Sequence, residues 1–387
     1  MWRSLASNMI TMLVLGLFML GGVILWGKTQ FTAVGPLDTA ICLRVERGSN
    51  MARVSRKLEA AGAVSNAAIF RVGADYSETA GQLKAGSFLV EPGSSMQGIV
   101  DQVTRGGAST CGTEVVYRVG VTRVMAQVRE LDPGTNKFVK KAEFNLLLDE
   151  APVEYTSVTT QSDTRYRLAM AEGVTSWQVV ETLKALKMLE GTVASIPPEG
   201  MLSPDSYDLV PGMVRGDILA KMVQKQELMI AAAWEGRAPG LPLESPEELL
   251  ILASIIEKET AVSSERRQVS SVFINRLNRG MRLQTDPTVI YGITEGKRVL
   301  GRGLRRSELR KATRWNTYVI QGLPITPIAN PGAASLEAAA HPDATDFVFF
   351  VADGSGGHAF AATLEEHNRN VAAWRQIEAQ RTQSSDN

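Results

Sequence analysis

An uncharged apolar run, MITMLVLGLFMLGGVILW from Met9 to Trp26, restricts this chain more than any other feature. At a rise of about 1.5 Å per residue, a helix of that length crosses most of a hydrocarbon core roughly 30 Å thick. Trp2 and Trp26 bracket the run, as amphipathic indoles do at headgroup level. A cleaved signal peptide is the alternative, but its apolar region is normally shorter, and no A-x-A site follows here. The expectation is an uncleaved anchor over residues 9–26, with residues 1–8 on the cytoplasmic side. Arg3 and the amino terminus flank one end and Lys28 the other, so charge alone sets the orientation weakly.

A chain of 387 residues with 44% hydrophobic and 21% charged residues has the composition of a globular protein of more than one domain. The formal net charge is zero, which argues against a nucleic-acid partner. One local basic run exists (Arg302, Arg305, Arg306, Arg310, Lys311 and Arg314), read as a solvated helix face or a contact for an anionic polymer. Three histidines (His341, His358, His367) and two cysteines show no metal-ligand spacing, so neither a metal nor another cofactor is expected. Cys42 and Cys111 can pair in an oxidising compartment, but sequence does not decide whether their Cα atoms approach closely enough.

A repeated unit occurs three times: GSNMARVSRKL (48–58), GSSMQGIVDQV (93–103) and GVTSWQVVETL (173–183). Each follows a β-prone stretch. A glycine opens a turn, small polar residues supply a cap, and apolar pairs recur at helical spacing: Val54/Leu58, Ile99/Val103 and Val179/Leu183. The unit reads as strand, tight turn, helix, in a layout reminiscent of LysM carbohydrate-binding modules. Residues 27–110 are assigned to such modules, 111–166 to an inserted β-rich segment around the Asp132-Pro133-Gly134 turn, and 167–217 to the third unit with a proline-rich connector. Residues 218–378 form a mainly helical catalytic domain, and 379–387 a disordered tail. The fold class expected is therefore α+β: a single transmembrane helix, LysM-like modules, then a helical domain carrying a β-hairpin.

The chemistry is expected on PEELLILASIIEKET, Pro246 to Thr260, which opens with Ser245 as N-cap and Pro246 at N1. At about 100° per residue, Leu249, Leu252, Ile255 and Ile256 share one face, and Glu259 lies near its middle. Glu257 falls outside that arc and Lys258 points away. An ionisable group inside an apolar face breaks the binary pattern, as functional residues often do. A carboxyl so placed should hold its proton more tightly and be able to donate it. The competing reading is a glutamate at a helix end that curls into solvent. Downstream lie MRLQTDPTVIYG, with Asp286 as N-cap and Pro287 at N1, and the WNTY and GLP loops, whose stacking and hydrogen-bonding groups suit sugar rings. IANPG, with Asn330 as N-cap, a DFVFFVADGSGGHAF hairpin and a Thr363/Glu366 capping box then follow.

In order and wording, LASIIEKETAV, SVFINRL, MRLQTDPTVIYG, NTY, GLP, IANPG, AAAHP and FVFFVADGSGGHAF resemble the YceG-like, MltG-type endolytic murein transglycosylases, densely from Pro242 to Trp374. Two departures stand out: the long 111–167 stretch, and Ile325 where the family often has proline. The resemblance implies Glu259 as the catalytic residue, with Glu257 as runner-up. It further implies cleavage of MurNAc-β-1,4-GlcNAc bonds within nascent glycan strands, 1,6-anhydroMurNAc ends, and a role in terminating glycan polymerisation. Gln284, Asp286, Asn316, Tyr318 and His358 are candidate sugar contacts. Peptidoglycan strands, the membrane and peptidoglycan synthases are the candidate partners, with the enzyme in the bacterial inner membrane and its body in the periplasm. Two rivals remain. A non-catalytic peptidoglycan-binding scaffold would use the same anchor and modules, and unaltered strands after incubation would reveal it. A pyridoxal-phosphate lyase would need a Schiff-base lysine in a phosphate cradle, which the sequence does not offer.

Overall fold

The structure, a computed structural model, describes residues 2–105, 110–161 and 163–385. Its contacts divide the chain into two compact units. One holds Met1–Val116, Gln127–Phe144 and Glu150–Tyr166; the other holds Tyr117–Ala126, Asn145–Asp149 and Arg167–Asn387.

The first unit begins with α1 (Trp2–Thr32), longer than the expected anchor. Its stretch Asn8–Thr32 is apolar enough to cross a membrane, with a mean hydropathy of 2.3, and protein buries none of the most apolar 18-residue window within it. The side chains of Trp2 and Arg3 lie outside the described residues. Then come β1 (Ile41–Val45), α2 (Met51–Ala60), α3 (Ala67–Tyr76), β2 (Gly86–Val90) and α4 (Met96–Arg105). β1 and β2 pair antiparallel, Ile41 opposite Val90. Val54, Leu58, Ile99 and Val103 are buried between them and the helices. Cys42 and Cys111 are joined in a disulfide with Cα atoms 5.9 Å apart, within the range such a bridge allows.

Next in the chain are β3 (Thr113–Val119), β4 (Val124–Asp132), β5 (Lys137–Asn145), α5 (Val153–Thr159), β6 (Arg165–Met170), α6 (Ser176–Ala185) and β7 (Ser206–Leu209). The five strands form one sheet in the order β5-β4-β3-β6-β7. All three repeated units are strand–turn–helix, and their glycines turn through positive φ (Gly48 +75°, Gly93 +71°, Gly173 +77°), a region L-residues avoid. They are not three equal modules, however. The first two share a two-stranded sheet, whereas the third strand, β6, belongs to the larger one. Two further expectations change: the 111–166 segment contains the helix α5, and the proline-rich connector contains β7, where Tyr207 is buried with its hydroxyl donating to Ser203 O at 2.7 Å.

The rest is helical: α7 (Arg215–Gly236), α8 (Pro246–Glu259), α9 (Arg266–Asn278), α10 (Asp286–Thr294), α11 (Arg306–Arg310) and α12 (Ala333–Ala340). The hairpin β8 (Phe349–Ala352) and β9 (His358–Ala361) follows, then α13 (Leu364–Ser385). α13 opens with the expected Thr363/Glu366 box. It continues to Ser385, so residues 379–385 are helical rather than a disordered tail, and 386–387 lie outside the described residues. In the basic run Arg302 is paired with Glu308 at 2.6 Å on an exposed surface.

Candidate active site

The helix α8 is enclosed on every side. Each residue from Leu249 to Ile256 is buried, so the expected apolar arc is only part of what packs. Leu250, Ile251 and Ala253 join it in a core shared with Val269, Phe273, Leu336 and Ala339. Ser254, the one polar residue in that stretch, donates to Ile251 O at 2.7 Å and accepts from Ile328 N at 3.0 Å. Ser245 caps the start by accepting from Glu248 N at 3.2 Å, with Pro246 next, as expected. A helix so held presents the residues of its last turn at fixed angles.

Those residues are Glu257, Lys258 and Glu259, and they enter three different surroundings. Glu257, with a side chain 6% exposed, accepts from Gly332 N at 3.0 Å and lies 3.9 Å from Arg266. Its carboxylate thereby secures the start of α12. Lys258 donates to Gly173 O at 3.2 Å and lines a cavity of about 220 Å³ with Gln178, Pro287, Tyr291 and Arg298. Glu259, half-buried, accepts a hydrogen bond from the Thr285 hydroxyl.

Burial holds the Glu259 carboxyl above the ordinary glutamate range; the Thr285 hydrogen bond opposes this, the Asp286 charge adds to it, and His358 and Arg276 draw it back. Desolvation wins because a charge with few water contacts is costly and, among the described residues, one hydrogen bond compensates. The position on the last turn, where carbonyl ends carry negative partial charge, also disfavours a carboxylate.

The partners of Glu259 are placed by backbone staples. Gln284 has φ +50°, a left-handed conformation that costs a non-glycine residue energy and is often kept for a site. Its N–H donates to Thr317 O at 3.2 Å, and Thr285 N donates to Thr317 Oγ1 at 3.0 Å. Thr317 thus stitches the two loops together and aims the Thr285 hydroxyl at Glu259. Thr285, not Asp286, is the N-cap of α10, one residue from the expected place. This frees the Asp286 side chain, which is exposed and accepts from the Tyr318 hydroxyl at 2.7 Å. Burial, then the bond to Asp286, raises the Tyr318 phenol above its usual range. His358 lies against Glu265, which accepts from its backbone N at 2.9 Å and contacts its Nδ1 at 2.8 Å. Arg276 is buried, donating to Val348 O at 2.7 Å and to Leu283 O; its charge acts on both Glu259 and Tyr318.

The structure therefore brings Asp286, Tyr318 and His358 around Glu259, with Gln284 exposed at the rim. Asn316 is a correction. It is 0% exposed, and its amide donates to the carbonyls of Glu308, Leu309 and Lys311 while its oxygen accepts from Tyr318 N. A side chain so enclosed and satisfied shapes the loop and has nothing left for a sugar. Trp315 is likewise committed, edge-on to Tyr291 with its indole N–H on Thr326. Asn330 is no helix cap either: Gly332 fills that place, and Asn330 is a buried bridge to Leu202 N and Val174 O. Sequence reasoning missed Thr285, Glu265 and Arg276 as site residues. Arg276 carried a signal, since it falls on the apolar stripe of Val269 and Phe273, at the i+7 and i+3 positions.

Comparison with known proteins gives consistent findings. The YceG-like family model matches residues 43–373. The chain is 28% identical over 90% of its length, and 89% of the relative's, to an endolytic murein transglycosylase of Bacillus subtilis. It is 24% identical to that of Streptococcus pneumoniae strain D39, over 86% of this chain and 58% of that one. A crystal structure of a yceG-like protein from Listeria monocytogenes aligns with a TM-score of 0.47 at 24% identity, covering 86% of this chain and 98% of that one.

Proposed function

Since the chain belongs to the YceG-like family, we propose that it is an endolytic peptidoglycan lytic transglycosylase in which Glu259 is first general acid and then general base. The observation that carries this reading is the Glu259 carboxyl at the end of α8, raised above its ordinary range by burial yet still reachable, with the Thr285 hydroxyl fixed on it.

The protonated carboxyl gives its proton to the glycosidic oxygen as the bond from MurNAc C1 to that oxygen breaks. The resulting carboxylate takes the proton of the C6 hydroxyl as O6 bonds to C1, which closes the 1,6-anhydro ring and restores the acid. No water enters, so the second carboxylate of an ordinary glycosidase is not required. Thr285 and the buried Arg276 favour the carboxylate needed in the second half, while burial and Asp286 favour the acid needed in the first. Tyr318, Asp286, His358 and Gln284 are the groups placed to meet the sugars. Glu257, committed to Gly332, is the weaker candidate for the chemistry.

A helix long and apolar enough to cross a membrane supports an anchored enzyme, and the Cys42–Cys111 bridge supports a periplasmic body, because disulfides persist in oxidising compartments. The two-stranded module after the anchor is a candidate LysM-like glycan contact. An endolytic enzyme tethered beside nascent strands suits termination of their polymerisation, with peptidoglycan synthases as partners. The test is mass spectrometry of products from purified glycan strands. Internal cuts bearing anhydroMurNAc ends, lost in Glu259→Gln, are expected; intact strands with the unmodified protein would instead indicate a binding scaffold.

A further inference from the structure

The helix α3 is apolar on two opposite faces, and protein buries one of them while leaving most of the other open. At about 100° per residue, Ala67, Phe70 and Ala74 make one face and are buried in the module core. Ile69, Val72 and Tyr76 make the other; Ile69 is half-buried against the edge of the core, whereas Val72 is 67% and Tyr76 91% exposed. Arg71 and Asp75 occupy one flank and are exposed. On a water-facing helix the outer face should be polar.

The second face does not stand alone. Ile69, Val72 and Tyr76 line one groove with Val23, Ile24, Trp26, Lys28 and Phe31 of α1. Its volume is about 490 Å³. The two helices meet closely at Gly73, where a Cβ would come within 2.2 Å of the Phe31 ring. Phe31 is buried in the module core, so the membrane-crossing part of α1 must end before it. Val23, Ile24 and Trp26 precede that limit and remain 57–62% exposed to whatever surrounds the helix. If α1 crosses a bilayer, these residues stand at the edge of its hydrocarbon, and a groove shared with them stands at the same depth. Trp26, Tyr76, Lys28 and Arg71 are residue types that settle at the headgroup level.

We propose that the Ile69–Val72–Tyr76 face of α3 is a membrane-contact surface, occupied by lipid of the outward-facing leaflet and continuous with the lipid-facing side of α1. It would fix the module against the bilayer rather than leave it swinging from a single helix. The full-length protein in phosphatidylethanolamine–phosphatidylglycerol vesicles tests this, with nitroxide labels at Val72→Cys, Tyr76→Cys and, as a solvent control on α2, Arg56→Cys. Peptide mapping first confirms that Cys42 and Cys111 remain joined. Labels at 72 and 76 are expected to collide with oxygen severalfold more than with a water-soluble nickel chelate, relative to the label at 56. Chelate access at 72 and 76 equal to that at 56 would overturn the proposal. So would shielding from both agents, which would mean that protein, such as a second copy of this chain, covers the face.

Discussion

Replacing Glu259 with glutamine is expected to produce two effects that only a buried, proton-holding acid joins together. The first is loss of cutting. General acid–base assistance contributes about 10²–10⁴-fold to a step, and here one group serves both halves of the reaction. Neither neighbouring carboxylate is placed to replace it, because Glu257 is bound to Gly332 N and Asp286 to the Tyr318 hydroxyl. The fall in kcat/KM should therefore reach the upper part of that range, about 10⁴-fold, read from anhydro-ended fragments. The second effect is on stability. Burial raises the Glu259 carboxyl, so between the ordinary carboxylate range and its folded value the native state keeps a proton that the unfolded chain has released. Stability of the wild type must fall as pH rises through that window and stay lower above it. Glutamine carries no such titration, and it can still accept from Thr285. Thermal unfolding followed from about pH 4 to about pH 8 should show the variant gaining on the wild type as pH rises. A variant that cuts within a factor of about ten of the wild type, or one whose stability difference ignores pH, would refute the assignment.

Three other outcomes follow from named contacts. Thr285→Val removes the donor that favours the Glu259 carboxylate, so the alkaline limb of the pH–rate profile should move upward, and Thr285→Ser should restore it; an unmoved limb with a uniform loss of rate would mean a structural role only. Asn330→Ala leaves Leu202 N without its partner inside the core and should cost about 1–3 kcal/mol in denaturant unfolding. Removing both cysteines, 69 positions apart, should cost about 4 kcal/mol by loop entropy, and reductant should destabilise the wild type but not the double variant.

Local features were legible in the sequence because each rests on a few adjacent residues. The caps at Ser245 and Thr363, the three turn glycines, the apolar pairs after them and the ADGSGGHAF hairpin all depend on backbone requirements a short window states. The enclosure of α8 was harder to read, since a helical projection looks for one apolar face and Leu250, Ile251 and Ala253 fall outside it. The proline after Asp286 suggested a cap one residue too late. Which polar residues of a loop face outward is a property of the whole loop, and Asn316 shows why. In WNTY it looks as available as Tyr318, but a tight turn leaves several carbonyls converging inward, and the cheapest group to satisfy three of them is a single amide. Once Asn316 faces in and Thr317 is stitched to Thr285, the next side chain is turned toward Asp286 and the Glu259 site. The loop motif is thus divided between residues that build the wall and one that the wall presents. A substitution at Asn316 should consequently lower kcat by misplacing both Tyr318 and the Thr285 hydroxyl that favours the Glu259 carboxylate, whereas Tyr318→Phe, which leaves Thr285 in place, should act chiefly on KM; steady-state kinetics on glycan strands separate the two.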